Sequence, residues 1–384
     1  MTKSILIIAG ETSGDTHGAA LVRALKELYP DMHIAGIGGN NMQNAGMELL
    51  YHVRDMSFMG FVEVVKHLPF IFKVRDTLET WVEEHSPDAV ILIDYPGFNL
   101  RFAKIVKNRD LPVYYYISPQ VWAWGKGRLK KMKHLVDKMF VIFPFEEDLY
   151  RKHDVRVEFV GHPLVEEVDE VTPKEAFYEQ HGFDPDVKTI GLFPGSRMQE
   201  IERHLDAMLG AVKRIRQQSE KPLQCWLAVA PDLEKTAFGE WTDDLDIQLV
   251  QNATYEVMNH SDIAITSSGS ATLEIAYFGT PMIIIYKMSN LTWWIGNLLV
   301  DMPYIGLANI VAENKVVPEL LQNEANPDKI AETALKYLQD ETYYTSVKNS
   351  LSMIRDKLGE PGAGRRVAES IADEIYESQS KSKN

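Results

Sequence analysis

The chain has 384 residues, of which 45% are hydrophobic and 25% charged, so it is long enough for two globular domains and lacks the composition of a disordered protein. Its formal net charge of -15 excludes broad binding to nucleic acid, which needs a cationic surface. A single cysteine, Cys225, excludes an intramolecular disulfide and suits a reducing compartment.

Short aliphatic runs alternate with helix-length amphipathic stretches along the chain, a pattern that predicts βαβ units and parallel sheets. The predicted strands of the first half span residues 4–9, 32–37, 89–93, 113–117, 139–142 and 157–160. Those of the second half span residues 189–193, 224–229, 247–250, 263–266 and 282–286. We therefore predict an α/β fold of two doubly wound, Rossmann-like parallel-sheet domains that face each other across a cleft.

The predicted domain boundary lies where the two series of strands meet. Gly161-His162-Pro163-Leu164 is followed there by an acidic, loosely patterned stretch. We predict an N-terminal domain over residues 1–164 and a C-terminal domain over residues 165–345. Residues 346–384 are predicted to form C-terminal helices that end in a polar tail.

The loop after the first predicted strand is Gly10-Glu11-Thr12-Ser13-Gly14-Asp15. It has neither G-x-G-x-x-G nor the Walker lysine, so the sequence supports no dinucleotide cofactor and no P-loop. Ser13 or Asp15 is the expected cap of the helix that follows. Helix capping does not explain why a glutamate stands at position 11.

Residues 58–74 carry more apolar side chains than one helix face needs. Phe61, Val65, Leu68 and Phe72 recur at helical spacing, and Pro69 is expected to kink or split the helix. A core-facing helix is one interpretation. The other is an exposed apolar patch, rimmed by cations, that would suit acyl chains or a bilayer surface. Charged residues and prolines interrupt the apolar residues 56–72 and 293–312, so no membrane span is predicted.

Asp94 follows the predicted strand at residues 89–93, at the edge of the sheet where ligands bind in parallel α/β folds. A carboxylate in that place is a candidate general base, and the alternative is a structural hydrogen bond within the turn at Pro96. Asn99 is predicted to cap a helix that begins at Leu100.

A basic cluster follows Val121-Trp122-Ala123-Trp124, and in so acidic a chain it indicates an anionic partner. A solvated helix face is an equally good interpretation. The cluster consists of Lys126, Arg128, Lys130, Lys131 and Lys133.

Two strand–helix junctions of the second half have the features of phosphate sites. Pro194-Gly195-Ser196-Arg197 and Ser268-Gly269-Ser270-Ala271 would each direct backbone N–H groups and a helix dipole at a ligand. Arg197 adds a charge that can bind phosphate, and Glu274 can accept hydrogen bonds from a sugar. The alternative for the first junction is a capping box, and the alternative for Glu274 is a plain surface position. Together the junctions predict a site for a nucleoside diphosphate.

In order and spacing, these motifs closely resemble those of the lipid-A-disaccharide synthase family, which are glycosyltransferases of the GT-B type. The matching segments are Gly10-Glu11-Thr12-Ser13-Gly14-Asp15, Met59-Gly60, Asp94 with Pro96, Phe98 and Asn99, Ser118-Pro119-Gln120-Val121-Trp122-Ala123-Trp124 with Arg128, Phe143-Pro144-Phe145-Glu146, Gly161-His162-Pro163, Pro194-Gly195-Ser196-Arg197 with Glu200, Ser268-Gly269-Ser270-Ala271-Thr272-Leu273-Glu274, and Asn309.

The resemblance implies transfer of 2,3-diacylglucosamine from UDP to the 6-hydroxyl of 2,3-diacylglucosamine 1-phosphate, with Asp94 as the base and Arg197 neutralising the departing diphosphate. The residues implied in UDP binding are Gly195, Ser196, Gly269, Ser270, Ala271, Glu274 and Asn309. Those implied in binding the acceptor and its acyl chains are Glu11, Ser13, Met59, Phe61, Val65, Leu68, Phe72, Asn99, Trp122, Lys126 and Arg128. Because Arg197 and two helix N-termini supply the positive potential, we predict no metal and no cofactor.

The resemblance also implies a cytoplasmic enzyme associated peripherally with the inner membrane, whose C-terminal helices cross back to the first domain. The sequence leaves open whether the protein forms a homodimer.

Two alternatives compete with this function. One is another GT-B enzyme that uses UDP-N-acetylglucosamine, either a peptidoglycan glycosyltransferase or a 2-epimerase. The other is a non-catalytic nucleotide-sugar-binding protein at the membrane.

Overall fold

The computed structural model describes residues 3–56, 68–122, 126–168, 171–231, 233–242, 245–288 and 303–382. These residues form two compact units, and the first consists of residues 1–166 together with residues 358–384. The second consists of residues 167–357. Each unit is built on one sheet.

The strands of the first unit are Ser4–Ala9 (β1), His33–Gly38 (β2), Glu48–His52 (β3), Ala89–Ile93 (β4), Val113–Tyr116 (β5), Lys138–Val141 (β6) and Val157–Phe159 (β7). They pair in the order β3-β2-β1-β4-β5-β6-β7, and every pair is parallel. The strands of the second unit are Lys188–Phe193 (β8), Leu223–Val229 (β9), Gln248–Gln251 (β10), Ile263–Ser267 (β11), Met282–Tyr286 (β12) and Glu319–Leu321 (β13). They pair in the order β10-β9-β8-β11-β12-β13, again all parallel.

The helices of the described residues follow the strands in chain order. They are Thr12–Leu28 (α1), Asn40–Asn44 (α2), Leu68–His85 (α3), Pro96–Lys107 (α4), Leu129–Leu135 (α5), Pro144–Arg151 (α6), Leu164–Glu167 (α7), Lys174–His181 (α8), Met198–Gln218 (α9), Gly239–Thr242 (α10), Thr254–His260 (α11), Ala271–Tyr277 (α12), Leu307–Ala312 (α13), Pro327–Gln339 (α14), Glu341–Lys357 (α15) and Ala363–Ser382 (α16). Short 3-10 turns precede α5 and α10 and follow β3 and β13. No described helix is long and apolar enough to cross a bilayer.

The α/β prediction is confirmed, and all eleven predicted strands are present with ends displaced by a residue or so. The central strands are continuous aliphatic runs because both faces of a parallel sheet are covered. Residues 5–9 of β1 and residues 89–93 of β4 are fully buried, and they pair from Ile5 opposite Ala89 to Ala9 opposite Ile93. The edge strands β3 and β13 were not predicted.

The chain returns to the first unit near its C-terminus. Leu358 accepts a hydrogen bond from the backbone of His162, and Glu166 accepts two from the amides of Gly362 and Ala363 at the start of α16. Helix α16 packs on α1, whereas α15 packs within the second unit. The units therefore divide after residues 166 and 357, where the sequence predicts boundaries after residues 164 and 345.

Candidate active site

Both sheets reverse their strand order once, and both reversals coincide with a motif of the sequence. In the first unit β2 and β3 lie on one side of β1 and β4 lies on the other. In the second unit β9 and β10 lie on one side of β8 and β11 lies on the other. Ligands of doubly wound sheets bind beyond the carboxyl ends of the strands at such a reversal. The loops there begin at Gly10 and Asp94 in one unit and at Pro194 and Ser268 in the other.

Asp94 is positioned by its own backbone at the end of β4. Asp94 and Tyr95 both have left-handed conformations, with φ angles of 43° and 45°. The carbonyl of Asp94 accepts hydrogen bonds from Asn99 Nδ2 at 2.8 Å and from the Tyr115 hydroxyl at 2.5 Å, while its amide donates to the Tyr116 carbonyl at 3.1 Å. These bonds fix the main chain. Asp94 and Arg128 both line a cavity of about 340 Å³ in the first unit.

The surroundings of Asp94 raise its pKa to about 6. Burial is the main cause, and the negative charge of Glu11 adds to it, while a backbone hydrogen bond from Tyr95 and the charge of His17 act in the opposite direction. A carboxyl group with this pKa is a carboxylate at neutral pH and a stronger base than an exposed aspartate. The geometry therefore suits proton abstraction.

The loop after β1 differs from the predicted capping arrangement. Helix α1 begins after Glu11 without any side-chain cap, so neither Ser13 nor Asp15 caps it, and Ser13 is exposed. Asp15 is buried and accepts hydrogen bonds from the amides of Gly39, Asn41 and Met42 at the start of α2. Its carboxylate therefore joins α1 to α2. The exposed Glu11 acts electrostatically on Asp94.

Asn99 does not cap a helix either, because α4 begins at Pro96 and places Asn99 inside its first turn. The side chain is fully buried, and Nδ2 donates to the carbonyls of Ile93 and Asp94. Asn99 thus holds the turn that carries Asp94.

Glu146 in α6 is a buried acid of the same cavity whose role sequence analysis missed. Its Oε1 accepts hydrogen bonds from Ser118 Oγ at 2.5 Å and from Trp122 Nε1 at 3.1 Å, and its Oε2 accepts one from the Phe143 amide. Burial raises the pKa of Glu146 to about 7, although these three hydrogen bonds each lower the pKa. The sequence marked Glu146 only as part of a motif. In the structure it anchors the 118–122 loop, and with it Trp122.

The predicted acyl-binding residues lie only partly within the described residues. Met59, Phe61 and Val65 lie outside them. Leu68 and Phe72 are 36% and 49% exposed and lie one turn apart in α3. Pro69 is the second described residue of α3, and the residues before Leu68 lie outside the described ones, so the expected kink at Pro69 stays a prediction. Lys126 and Arg128 belong to the 3-10 turn before α5, and Arg128 is exposed.

In the second unit the loops after β8 and β11 line one cavity of about 360 Å³. Gly195, Ser196, Arg197 and Glu200 come from the first loop and its helix. Gly269, Ser270, Ala271 and Glu274 come from the second. The structure thus brings all the predicted UDP-binding residues except Asn309 to one place.

Ser196 and Gln199 do not form the capping box that the sequence offered as an alternative. The residue before α9 is Arg197, and no side chain caps that helix. Glu200 instead accepts a hydrogen bond from the Ser196 amide and pairs with Arg197 at 3.3 Å. The side chain of Arg197 is 63% exposed. Gly195 has a φ angle of +128°, and a Cβ there would lie 2.6 Å from Glu200, so the loop requires glycine.

The second loop leaves its first amides open. Among the described residues, no hydrogen-bond acceptor is present for the amides of Gly269 and Ser270, which therefore remain available to an anion. Glu274, one turn into α12, is mostly buried. Burial raises the pKa of Glu274, a hydrogen bond with Ser270 opposes the rise, and the charge of Glu167 adds to it.

Asn309 is fully buried in α13, and all its hydrogen-bonding capacity is used. Its Oδ1 accepts from the amides of Val316 and Val317, and its Nδ2 donates to the Val317 carbonyl and to Glu319. Glu319 in turn accepts from the amides of Ile305 and Gly306. The side chain of Asn309 therefore fixes the chain around residue 305.

His204 of α9 is a second residue that sequence analysis missed. Its Nδ1 bonds to the Pro194 carbonyl at 3.2 Å, and its Nε2 accepts from the Lys287 amide at 3.0 Å. Burial lowers the pKa of His204, which favours the neutral ring that this pattern needs. Because both partners are backbone groups, no spacing in the sequence points to it.

No group of three or more His, Cys, Asp or Glu side chains within the described ranges is placed to hold a metal ion. The expectation of a metal-independent reaction stays a prediction.

Three kinds of comparison with known proteins bear on this site. A relative from Syntrophus aciditrophicus named lipid-A-disaccharide synthase is 45% identical over 370 residues, covering 96% of each chain. Another of that name, from Geobacter sulfurreducens, is 42% identical over 366 residues and covers 95% of each.

Solved structures share the fold at much lower identity. A UDP-N-acetylglucosamine 2-epimerase from Neisseria meningitidis bound to UDP-GlcNAc has a TM-score of 0.65 at 12% identity, covering 96% of this chain and 100% of that one. The calicheamicin glycosyltransferase CalG4 has a TM-score of 0.64 at 14% identity, covering 98% and 99%. These likenesses show the fold alone. The family model described as lipid-A-disaccharide synthetase matches residues 5–372, so the chain belongs to the lipid-A-disaccharide synthase family.

Proposed function

We propose that this enzyme transfers 2,3-diacylglucosamine from UDP to the 6-hydroxyl of 2,3-diacylglucosamine 1-phosphate and inverts the anomeric configuration. The products are the β-1,6-linked disaccharide 1-phosphate and UDP. The observation that carries the proposal is the carboxyl group of Asp94, placed at a strand reversal in a cavity with Arg128 and holding a pKa of about 6. That group suits removal of a proton from a sugar hydroxyl.

In the transfer step Asp94 takes the proton of the acceptor 6-hydroxyl as its oxygen attacks the anomeric carbon of the donor. The new carbon–oxygen bond forms on the face opposite UDP. The bond from the anomeric carbon to the phosphate oxygen breaks, and its electron pair leaves with UDP. One base and one stabilised leaving group are sufficient for this single displacement.

The second unit supplies the stabilisation of UDP in this proposal. Arg197 and the open amides of Gly269 and Ser270 would meet the diphosphate, and the diphosphate would replace Glu200 as the partner of Arg197. Losing one such preorganised donor typically costs about 3–4 kcal/mol of barrier. Glu274 would accept hydrogen bonds from the ribose. Asn309 would not contact UDP but would hold the chain around residue 305 in place, because its side-chain amide is already hydrogen-bonded within the protein.

The first unit would bind the acceptor. Arg128 is placed to meet its phosphate, and Lys126 is the second candidate from the sequence. Leu68 and Phe72 offer apolar surface to acyl chains or to the inner-membrane surface, where we propose that the enzyme associates peripherally from the cytoplasmic side. Asn99 and Trp122 would position the loops around the acceptor, because the side chain of each is hydrogen-bonded to a neighbouring group of the protein.

The proposal is tested by incubating the pure enzyme with UDP-2,3-diacylglucosamine and 2,3-diacylglucosamine 1-phosphate, followed by mass spectrometry. A disaccharide 1-phosphate and one equivalent of UDP are expected. An epimerase would form no new glycosidic bond, and a binding protein would leave both substrates unchanged. Either result would overturn the proposal.

A further inference from the structure

A second groove of the first unit, of about 770 Å³, lies between α4 and α5. Its apolar floor includes Pro96, Leu100 and Leu135, and the two leucines pack against the core. Most of the surface inside the groove is apolar, because the aliphatic stems of the lysines around it contribute methylene groups. The groove can therefore accept a hydrocarbon chain.

The rim of this groove is cationic. It carries Arg101 and Lys104 from α4, Arg128 from the preceding turn, and Lys130 and Lys131 from α5. Among the described residues, no acidic side chain lines the groove, and none of these five side chains has a hydrogen bond or an ion pair. The five charges are therefore open to an anion.

Other cations near the same helices are neutralised. Lys107 of α4 pairs with Asp137 at 2.9 Å, Lys133 of α5 pairs with Asp154 at 2.9 Å, and Arg109 pairs with Glu83 at 2.6 Å. In a chain of net charge -15, acids are abundant enough to pair every cation. Within the described residues of α4 and α5, the unpaired lysines and arginines all line this groove, which indicates an anionic ligand there.

The groove lies next to the Asp94 cavity, because Pro96 and Arg128 line both. A ligand with its hydroxyl at Asp94 and its phosphate at Arg128 would have the groove directly beside it. Of the two sugar substrates, only the acceptor carries a terminal phosphate and brings a hydroxyl to the base.

We propose that the groove between α4 and α5 binds an acyl chain of the acceptor on its apolar floor, while its cationic rim attracts the acceptor phosphate. This inference rests on the proposed function, since it takes the acceptor to be an acylated sugar phosphate. It gives the acceptor a site for its acyl chain that is separate from the Leu68 and Phe72 surface.

The test compares two double variants with the same change in charge. Lys104→Gln with Lys131→Gln removes two rim charges, and Lys152→Gln with Lys213→Gln removes two exposed charges outside the groove. Rates are measured in detergent micelles with each substrate varied in turn. We expect the first pair to raise the acceptor KM about tenfold with the donor KM within about twofold, and the second pair to change neither.

A second measurement tests the floor. For the unaltered enzyme the acceptor KM should fall as the acyl chains are lengthened, and Leu100→Ser should flatten that dependence. Loss of fold alone would lower kcat for every chain length equally. An unchanged chain-length dependence in Leu100→Ser would contradict the assignment of the floor.

Direct binding separates this inference from the proposed function. Calorimetric titration with diacylglucosamine 1-phosphate requires no turnover, so weaker binding to the Lys104/Lys131 variant would support the groove even if no disaccharide formed. An unchanged acceptor affinity overturns the proposal. If that variant instead loses binding to vesicles of phosphatidylglycerol while its acceptor KM stays the same, the rim contacts the membrane and the proposal is also wrong.

Discussion

The carboxyl group of Asp94 lies in surroundings that destabilise the fold at neutral pH. Its pKa is about 6 in the folded chain against an ordinary value of 3.8, so the folded state binds the proton more tightly. Stability therefore falls as pH rises from about 4 to 6, and the loss persists above that window. At about 1.4 kcal/mol per pH unit, the cost is on the order of 2–3 kcal/mol.

Asp94→Asn should therefore raise the melting temperature at pH 7.5 by several degrees, because it removes a buried charge. It should also lower kcat at least about 100-fold, because it removes the proposed general base. Thermal denaturation and product formation would be measured on the same samples. For the unaltered enzyme, kcat/KM should rise about tenfold per pH unit below pH 6 and level off above it. Asp31→Asn, at an exposed position, is the control; full activity in Asp94→Asn would contradict its role as base.

Glu146 should make stability depend on pH in a higher window. Its pKa is about 7 in the folded chain against 4.5, so its contribution to stability decreases as pH rises from about 4.5 to 7. Glu146→Gln keeps an oxygen for Ser118 and Trp122 and does not titrate. The difference between the melting temperatures at pH 5 and pH 8 should shrink in this variant.

The matched control is Glu147→Gln, because Glu147 is the next residue and pairs with Arg151 near the surface. It should leave the pH dependence of the melting temperature unchanged. If Glu146→Gln shows the same pH dependence as the unaltered chain, then Glu146 does not titrate in this window.

At the scale of elements, the apolar pattern predicted all the central strands and two of the four edge strands, and it missed the edge strands β3 and β13. β1 and β4 are uninterrupted aliphatic runs because both faces are buried. β3 and β13 have one neighbour each, and their residues are partly or fully exposed, so Glu48–His52 and Glu319–Leu321 lack a continuous apolar signal. Pairing with β2 and β12 defines these strands, and pairing is a tertiary property.

The predicted helix caps failed for a related reason. Asp15, Asn99 and Ser196 are good capping residues by type, yet none caps the helix that it was assigned to. Asp15 binds the amides of α2, and Asn99 binds the end of β4. The sequence marked the correct loops, because polar and glycine residues cluster at the two strand reversals. It could not show which distant amide or carbonyl each side chain would reach, and Glu146 and His204 were missed for the same reason.

Packing of α16 on α1 gives a prediction for a single glycine. Gly364 lies in the first turn of α16, and a Cβ there would be 2.8 Å from the Leu21 amide nitrogen and 2.9 Å from Ala20 Cβ. Alanine usually stabilises a helix relative to glycine by about 1 kcal/mol. Here the overlap should reverse the sign, and Gly364→Ala should lower the free energy of unfolding by about 1–2 kcal/mol.

Urea denaturation followed by circular dichroism would measure this change. Asp373→Ala introduces the same side chain at an exposed position of α16 and should be nearly neutral. A gain in stability for Gly364→Ala would show that the two helices can separate at no cost.

At the scale of the whole molecule, the chain contains two units with the same kind of parallel α/β architecture. Each unit has its own parallel sheet, its own buried strands and its own strand reversal with a candidate site. The candidate UDP site lies entirely within residues 167–357. A ligand that binds only there should stabilise that unit by mass action, by about 2.7 kcal/mol at 100 times its Kd.

Calorimetry should therefore resolve two unfolding transitions, of which saturating UDP raises one and leaves the other nearly unchanged. Gly364→Ala should lower the melting temperature of the transition that UDP leaves unchanged, because Gly364 lies in the first unit.

Arg197→Ala should reduce the shift produced by UDP to that produced by uridine, because in the proposed site the guanidinium meets only the phosphates. Glu274→Ala should reduce both shifts. A single transition, or equal shifts of both transitions with UDP, would contradict the confinement of nucleotide binding to the second unit. Equal effects of Arg197→Ala on UDP and uridine would contradict the separate roles of charge and ribose recognition.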